Sequence, residues 1–445
     1  MKILIAGTGD TATHLAKMLS REDQDVVVMG RDTNVLLELD QRYNLLTYEG
    51  NPVVPSHLRQ AGASGCNLFI AVTPFENHNL VSSEIAKWLG AQRTLARIDN
   101  GELLNEDIHD HFVNIGVDEM VYPEYLASHE INRALEHPWL KAIYPLHSGA
   151  VTVGAVRVQP GAPISGTVLR DFDKEHYKMH ICAIKRDGMT IIPGGNDTIE
   201  SYDIVYFTTA KNPDEHEIMH LFGKHGRQIK SVMIIGAGKM TEAVINLIAG
   251  KYSVTVIEPD RSLCDKIASR CDGVTVVCAD FRDVDILREE GIRNFDALIS
   301  LSDSSEKNIV CSMVGRTLGV PFTIAQIEDI QYFSEADDLN IDVVINKKLL
   351  TSSTIYQMLL DSYIESARCL AFEDAEVAEI VAGERSVITR KPVRELHLDK
   401  SMTIAAVIHN GVGRIVDGNT WILPGDHVVV FCLRGHLKHI EKLFS

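Results

Sequence analysis

The stretch ILIAGTGDTATHLAKML (3–19) decides the fold. An apolar β-branched run leads into Gly7-Thr8-Gly9, and apolar residues then recur at helical spacing. That order reads as strand, glycine loop and helix, the context that gives G-x-G-x-x-G/A its meaning. The first glycine permits a tight turn, and the second lets a pyrophosphate approach the backbone. The small third residue, here Ala12, lets helix and strand pack closely, while free N–H groups at the helix N-terminus suit phosphates.

Working outward, the same pattern returns as MIIGAGKMTEAVINLI (233–248), with Gly236 and Gly238 standing 229 residues after Gly7 and Gly9. That offset also takes Asn51 to Asp280, FIAVT (69–73) to LISLS (298–302), Asn79 to Asn308, and LARI (95–98) to IAQI (324–327). The chain is a tandem duplication. In each copy short β-branched runs alternate with helical segments, which predicts βαβ crossovers and a parallel sheet covered on both faces. After each copy the texture turns β-rich, over 150–209 and 375–433, with turn signals at Arg186-Asp187-Gly188, His409-Asn410-Gly411 and Pro424-Gly425-Asp426. The expected fold class is α/β: two Rossmann-like doubly wound domains at 1–133 and 226–369, each followed by a small α+β domain at 134–225 and 370–445. The helical stretches 129–137 and 354–367 are candidates for pairing one module with another, or for plain core.

Composition narrows the class. The 445 residues carry a formal net charge of −18, which opposes nucleic-acid and anionic-lipid surfaces alike. A membrane role therefore has to run through a protein partner. No apolar stretch reaches the roughly 18 residues of a membrane span, and MKILIAGTG reads as a buried first strand and not as a secretory signal. The eight cysteines form no C-x-x-C pair and read as reduced core thiols.

The end of the second strand chooses the nucleotide. In VTVIEPD, Glu258 lies 22 residues after Gly236, where a carboxylate accepts both ribose hydroxyls and repels a 2′-phosphate. In VVVMGRD, allowing a one-residue slip, Gly30 holds that place and Arg31 follows, which favours a phosphorylated ribose or a weakened or emptied site. Asp280 follows the third strand and can face the adenosine end, while its counterpart Asn51 lacks the charge. Arg97, within LARI, lies at a strand's C-terminal end, as a phosphate clamp or a paired surface cation, and its counterpart is Gln326. In third place the second loop has Thr241, which predicts slightly looser packing there. The candidate contacts are Gly7, Gly9, Asp10, Thr11, Arg31, Thr73 and Arg97 in the first copy. In the second they are Gly236, Gly238, Lys239, Met240, Glu258, Asp280 and Ser302.

No catalytic constellation accompanies these loops. His147, His409 and His427 are scattered along the chain, and His176 and His180, four apart, lead into the β-rich run HICAI. All five read as ordinary surface or core histidines, with no metal site expected. Two nucleotide folds without a general acid or base point to sensing. The alternatives are an NAD(P)-dependent oxidoreductase and a regulator of a different cation transporter.

Together GTGDTA, GAGKMT, AVTPFENHN, SLSDSSEKN, NIGVDEMVYPEYLASHEI, PGAPISGTVLRDF, AIKRDGMTIIPGGND and ILPGDHVVVF resemble the RCK (KTN) family over nearly the whole chain. The modules run in the order RCK-N, RCK-C, RCK-N, RCK-C. The resemblance implies a cytoplasmic regulatory subunit, peripheral on the inner face of the membrane, that controls a potassium-translocating membrane subunit (TrkH/KtrB-like). It implies NAD(H) or an adenine nucleotide (ATP/ADP) as regulatory ligand, and a homo-oligomer, dimer or tetramer, arranged as a ring. On this resemblance Gly7, Gly9, Gly236 and Gly238 contact phosphates, Glu258 the ribose, Asp280 the adenosine end and Arg97 a terminal phosphate.

Overall fold

The structure is a computed structural model. It describes the chain apart from residues 21–23, 211–212, 225, 227, 330–338, 361–366, 369–374, 385, 434–442 and 445. Cys369 and the second half of the stretch 354–367 thus lie largely outside the described residues.

The first unit has strands β1 (Lys2–Ala6), β2 (Asp25–Gly30), β3 (Leu46–Glu49), β4 (Leu68–Ala71), β5 (Arg93–Arg97) and β6 (Glu119–Val121). Its helices are α1 (Asp10–Leu19), α2 (Thr33–Arg42), α3 (Pro55–Gln60), α4 (Glu76–Leu89), α5 (Glu106–Asn114) and α6 (Pro123–Glu136). The sheet order β3-β2-β1-β4-β5-β6 is parallel throughout and reverses direction at β1. Ile3, Leu4, Ile5 and Ala6 are all buried, because helices cover both faces.

An antiparallel sheet follows, order β10-β9-β11-β8-β7, from β7 (Ala142–Leu146), β8 (Val151–Arg157), β9 (Met179–Arg186), β10 (Met189–Ile191) and β11 (Ile204–Ala210). The short helices α7 (Lys174–Tyr177) and α8 (Glu215–Leu221) flank it. The β9–β10 turn places Asp187 and Gly188 at φ +49° and +74°, the left-handed pair expected of a tight hairpin.

The second copy repeats the plan. Strands β12 (Ser231–Ile235), β13 (Ser253–Glu258), β14 (Val274–Cys278), β15 (Ala297–Ser300), β16 (Phe322–Gln326) and β17 (Val343–Ile345) take the order β14-β13-β12-β15-β16-β17. Its helices are α9 (Lys239–Ile248), α10 (Arg261–Arg270), α11 (Val284–Glu289), α12 (Ser305–Thr317) and α13 (Lys347–Leu360). The last sheet has β18 (Ala367–Arg368), β19 (Ala375–Val381), β20 (Met402–His409), β21 (Val412–Ile415) and β22 (His427–Leu433), in the order β18-β19-β22-β20-β21.

The two Rossmann-like units exchange helices. Ala127, Ile131 and Leu135 of α6 are buried in the core of the second unit, beside Val244, Ile245 and Ile248 of α9. Ile355, Tyr356 and Leu359 of α13 are buried in the core of the first, beside Leu15, Ala16 and Leu19 of α1. Each of these leucines and isoleucines contributes on the order of 1.5–3 kcal/mol when removed from water, so each unit's core is incomplete without the other's helix. Helix α13 starts at Lys347, where the Asn346 side chain accepts the Leu349 N–H, several residues before the stretch predicted at 354. The two antiparallel sheets also share one core, in which Val151, Val153 and Tyr206 meet Val377, Val429 and Phe431.

Of the cysteines, Cys66, Cys182, Cys264, Cys271, Cys311 and Cys432 are buried, as expected of core thiols; Cys278 is exposed because it ends the edge strand β14.

Candidate functional site

The strand-order reversal opens a cleft of about 650 Å³ beyond the carboxyl ends of β1 and β2, lined by Gly7, Gly9, Arg31, Asn51, Thr73 and His78 among others. Gly7 sits at φ +142°, and a Cβ there would lie 3.0 Å from the Val72 carbonyl oxygen. Gly236 repeats this at φ +96° against Leu301. At Gly9 and Gly238 a Cβ would meet nothing within 4 Å, and neither α1 nor α9 has a side-chain cap. Their first N–H groups are thus open to an incoming anion. These features fit a nucleotide phosphate in both copies.

The strand register supports the one-residue slip. Gly7 N–H donates to the Met29 carbonyl and Gly236 N–H to the Ile257 carbonyl, so Gly30 and Glu258 occupy matching positions. They differ in what they touch. Glu258, 8% exposed, accepts the Ala237 N–H through Oε2 and the Asp260 N–H through Oε1, both at 2.9 Å. In the first copy Thr8 replaces Ala237, and its methyl group fills the space that a side chain on Gly30 would need. Arg31, exposed, lines the rim of the same cleft.

The loop after the fourth strand is braced identically in both copies. The Asn79 Oδ1 accepts from the Thr73 N–H and hydroxyl, and its Nδ2 donates to the Thr73 and Arg97 carbonyls. Asn308 does the same for Ser302 and Gln326. Thr73 and Ser302 are therefore held by their asparagines, their hydroxyl protons already committed.

Three expectations need correction. Thr241 does not loosen its loop: it is fully buried, and its hydroxyl donates to the Gly236 carbonyl at 2.8 Å, closing the turn that Ala12 closes by packing alone. Met240 lies in the hydrophobic core at 4% exposure, leaving only its backbone to face a ligand. His147 and His427 are not scattered; their rings come within 4.6 Å of each other, although 280 residues separate them in sequence. His176 and His180 do part company, the first exposed against Glu217 and the second buried against Thr403.

Asp280 ends at the surface in a bidentate pair with Arg282, whose hydrogen bonds hold the carboxyl down at about 2. Arg97 lines an adjoining cavity of about 450 Å³, with Gly9, Asp10, Thr11, Glu328, Lys347 and Lys348. Its Nη2 donates to Asp99 at 2.9 Å, while its buried Nε has no hydrogen-bond partner among the described residues. Gln326 donates to Glu328 in the matching place of the second copy, and burial pushes the Glu328 carboxyl up.

This cavity lies where the exchanged helix meets the first glycine loop. Lys348 of α13 pairs with Asp10, the Ser352 hydroxyl donates to the Thr11 carbonyl at 3.2 Å, and Lys347 pairs with Glu124 of α6 at 3.0 Å. From the other side, Lys239 of the second loop donates to the Asp99 carbonyl at 3.4 Å. Each glycine loop thus touches the opposite unit through the residue after its second glycine.

The TrkA-N domain model matches residues 3–123 and 232–347, and the TrkA-C domain model matches 153–222 and 377–445. The chain belongs to the TrkA family. Its sequence is 29% identical to the Trk system potassium uptake protein TrkA of Haemophilus influenzae over 455 residues, covering 100% of this chain and 99% of that one. It is 28% identical to a TrkA homolog of Archaeoglobus fulgidus over 446 residues, covering 100% of each chain. Among solved structures, the GsuK RCK domain aligns with a TM-score of 0.60 at 16% identity, covering 100% of this chain and 94% of that chain. The GsuK channel bound to NAD aligns with the same score and identity, covering 100% of this chain and 78% of its own. These likenesses bear out the tandem RCK architecture and the expected fold class. The TrkA relatives are potassium-uptake proteins, and neither carries an enzyme's name.

Lys347, Lys348 and Ser352 were beyond the reach of sequence reading. They carry no motif, and only the helix exchange brings them to a loop 338 residues away. Thr8 was legible in principle, since Thr8/Gly30 and Ala237/Glu258 change together between the copies.

Proposed function

We propose that this chain is a cytoplasmic, nucleotide-sensing regulatory subunit that gates a potassium-translocating membrane subunit of the Trk type, working as a ring-like homo-oligomer against the inner face of the membrane. On this reading the chain divides into modules at 1–133, 134–225, 226–369 and 370–445. The family's name for potassium uptake supports the system, and the two glycine loops support the ligand, NAD(H) or ATP/ADP.

The observation that carries the reading is the join between the first glycine loop and α13, through Asp10–Lys348 and Thr11–Ser352. Gly7, Gly9 and the N-terminus of α1 would hold phosphate oxygens, and Arg31 would face a phosphorylated ribose. Arg97, whose Nε–H has no partner among the described residues, would take a terminal phosphate. A bound nucleotide supplies negative charge and a ribose, and needs no reaction. Lys348 is then shared between Asp10 and that charge, so the seating of α13 differs between ligands that reach Arg97 and ligands that stop short. In the second copy Gly236, Gly238, Lys239 and the Met240 backbone would hold phosphates. Glu258 and Asp280 would read the adenosine end, beside Ser302. A ligand that fits two helix arrangements unequally shifts their populations.

Calorimetric titration of the full chain with NADH, NADPH, ATP and ADP tests the sensing. At least one must bind, and K348Q must change the affinity ratio between ATP and ADP. Absence of binding by all four refutes the proposal. Co-purification with a potassium-translocating membrane subunit, and nucleotide-dependent potassium flux in reconstituted vesicles, test the partner.

A further inference from the structure

His147, Glu379 and His427 meet where the two antiparallel sheets pack. His147 lies in the turn between β7 and β8, while Glu379 and His427 come from the adjacent strands β19 and β22. In the ladder Val381 pairs with His427 and Glu379 with Val429, so Glu379 and His427 are diagonal neighbours on one face. The Nδ1 atoms of both histidines lie 2.8 Å from the same oxygen, Glu379 Oε1. One donor atom from each residue falls within 4.8 Å of the others.

The carboxylate is the unusual member. Its side chain is only 3% exposed, and among the described residues only these two imidazoles pair with it. Its second oxygen, Oε2, is buried with no hydrogen-bond partner among the described residues. A buried carboxylate left half satisfied costs free energy. The first module shows that the fold does not require it: by strand pairing, Ala155 and Ile204 stand where the second module has Glu379 and His427. The imidazoles keep 33% and 26% exposure, which leaves an approach from solvent.

We propose that His147, Glu379 and His427 form a binding site for a divalent transition-metal ion of the zinc class. Two imidazoles and one carboxylate suit such an ion, whereas magnesium and calcium prefer all-oxygen sets. Zinc holds nitrogen and oxygen ligands at about 2.0–2.2 Å, which spreads neighbouring donors to about 3.3 Å. The present 2.8 Å contacts need to open by roughly half an ångström to admit it. Three protein ligands leave a coordination position for water. The ion takes the Nδ1 lone pair of each neutral imidazole, whose proton then sits on Nε2 facing solvent; it satisfies the carboxylate and ties the turn of the first module to the sheet of the second.

The test uses the full-length protein after chelation and dialysis, titrated with zinc alone against a chromophoric competitor. One zinc ion per chain is expected, with affinity falling at least about 10-fold in H147Q, H427Q and E379Q, and unchanged in H176A. Far-UV circular dichroism and nucleotide titration establish that the variants are folded. As an independent readout on the unsubstituted protein, cobalt(II) should give the visible absorption of a low-coordinate site, bleached by zinc. Zinc binding that survives both histidine substitutions, or that H176A weakens equally, overturns the site. So does absence of stoichiometric binding together with a cobalt spectrum like that of the free ion.

Discussion

Glu258 Oε2 accepts a hydrogen bond from the Ala237 backbone N–H at 2.9 Å, and the matching pair in the first copy, Gly30 and Thr8, exchanges the carboxylate for a methyl contact. The acid proposed to read the ribose is thus also a brace for its own glycine loop. In the first copy the Thr8 methyl group occupies the space that a side chain on Gly30 would need.

The first prediction follows from that brace. E258A should destabilise the chain by about 1–3 kcal/mol, because a buried N–H loses its acceptor, with E258Q costing less. Denaturant unfolding measures this. In titrations the same variants should lose discrimination against a 2′-phosphate at the second site; unchanged NADH-to-NADPH preference would contradict the assignment.

The exchange itself can be run backwards. G30E alone should cost about 1–3 kcal/mol through overpacking against Thr8. Adding T8A should recover most of that, a coupling that a double-mutant cycle detects. The double variant should prefer NADH over NADPH more strongly than the parent does, and additive effects would sink the idea that the two positions compensate.

Helix exchange makes a different kind of prediction. Ile355→Ala and Leu359→Ala should each cost about 2–5 kcal/mol, as buried truncations do, and should weaken the first unit although α13 follows the second. Hydrogen exchange should show lost protection in α1 as well as α13. K348Q, removing a partly exposed ion pair, should change stability by about 0–1 kcal/mol. Its effect belongs in nucleotide affinity, and a large stability loss with unchanged binding would argue against its proposed role.

Acid should loosen the junction between the small modules. His180 on β9 is buried against Thr403 on β20, and burial, aided by Lys174, pulls its pKa down from 6.5 to about 3. The folded state therefore holds the ring neutral where the unfolded chain would protonate it. This contribution is complete above pH 6.5 and declines as pH falls toward 3. Melting curves at about pH 7.5 and about pH 5 should differ more for the parent than for H180N; equal differences would assign the acid sensitivity elsewhere.

Much of the site was legible in one dimension. Gly7, Gly9, Gly236 and Gly238 are recognisable because the turn and the approach to the backbone demand them at fixed spacing, and the structure places them so. Asn79 and Asn308 were visible as a conserved offset but not as braces, since nothing local indicates that an amide spans to the end of the next strand. Arg97 was legible as a strand-end cation, yet the cavity it lines depends on residues from the far copy.

By itself the sequence determined the duplication, the strand–loop–helix order and the divergence of Glu258 from Gly30. These rest on local backbone rules and on repetition, which survive without knowing what packs where. Only the tertiary structure decided which helix completes which core, that Lys348 answers Asp10, and that His147, Glu379 and His427 share a point. The physical reason is range. Periodicity reports which face of an element is apolar, whereas the identity of the surface that covers it is a contact between distant segments that no local pattern encodes.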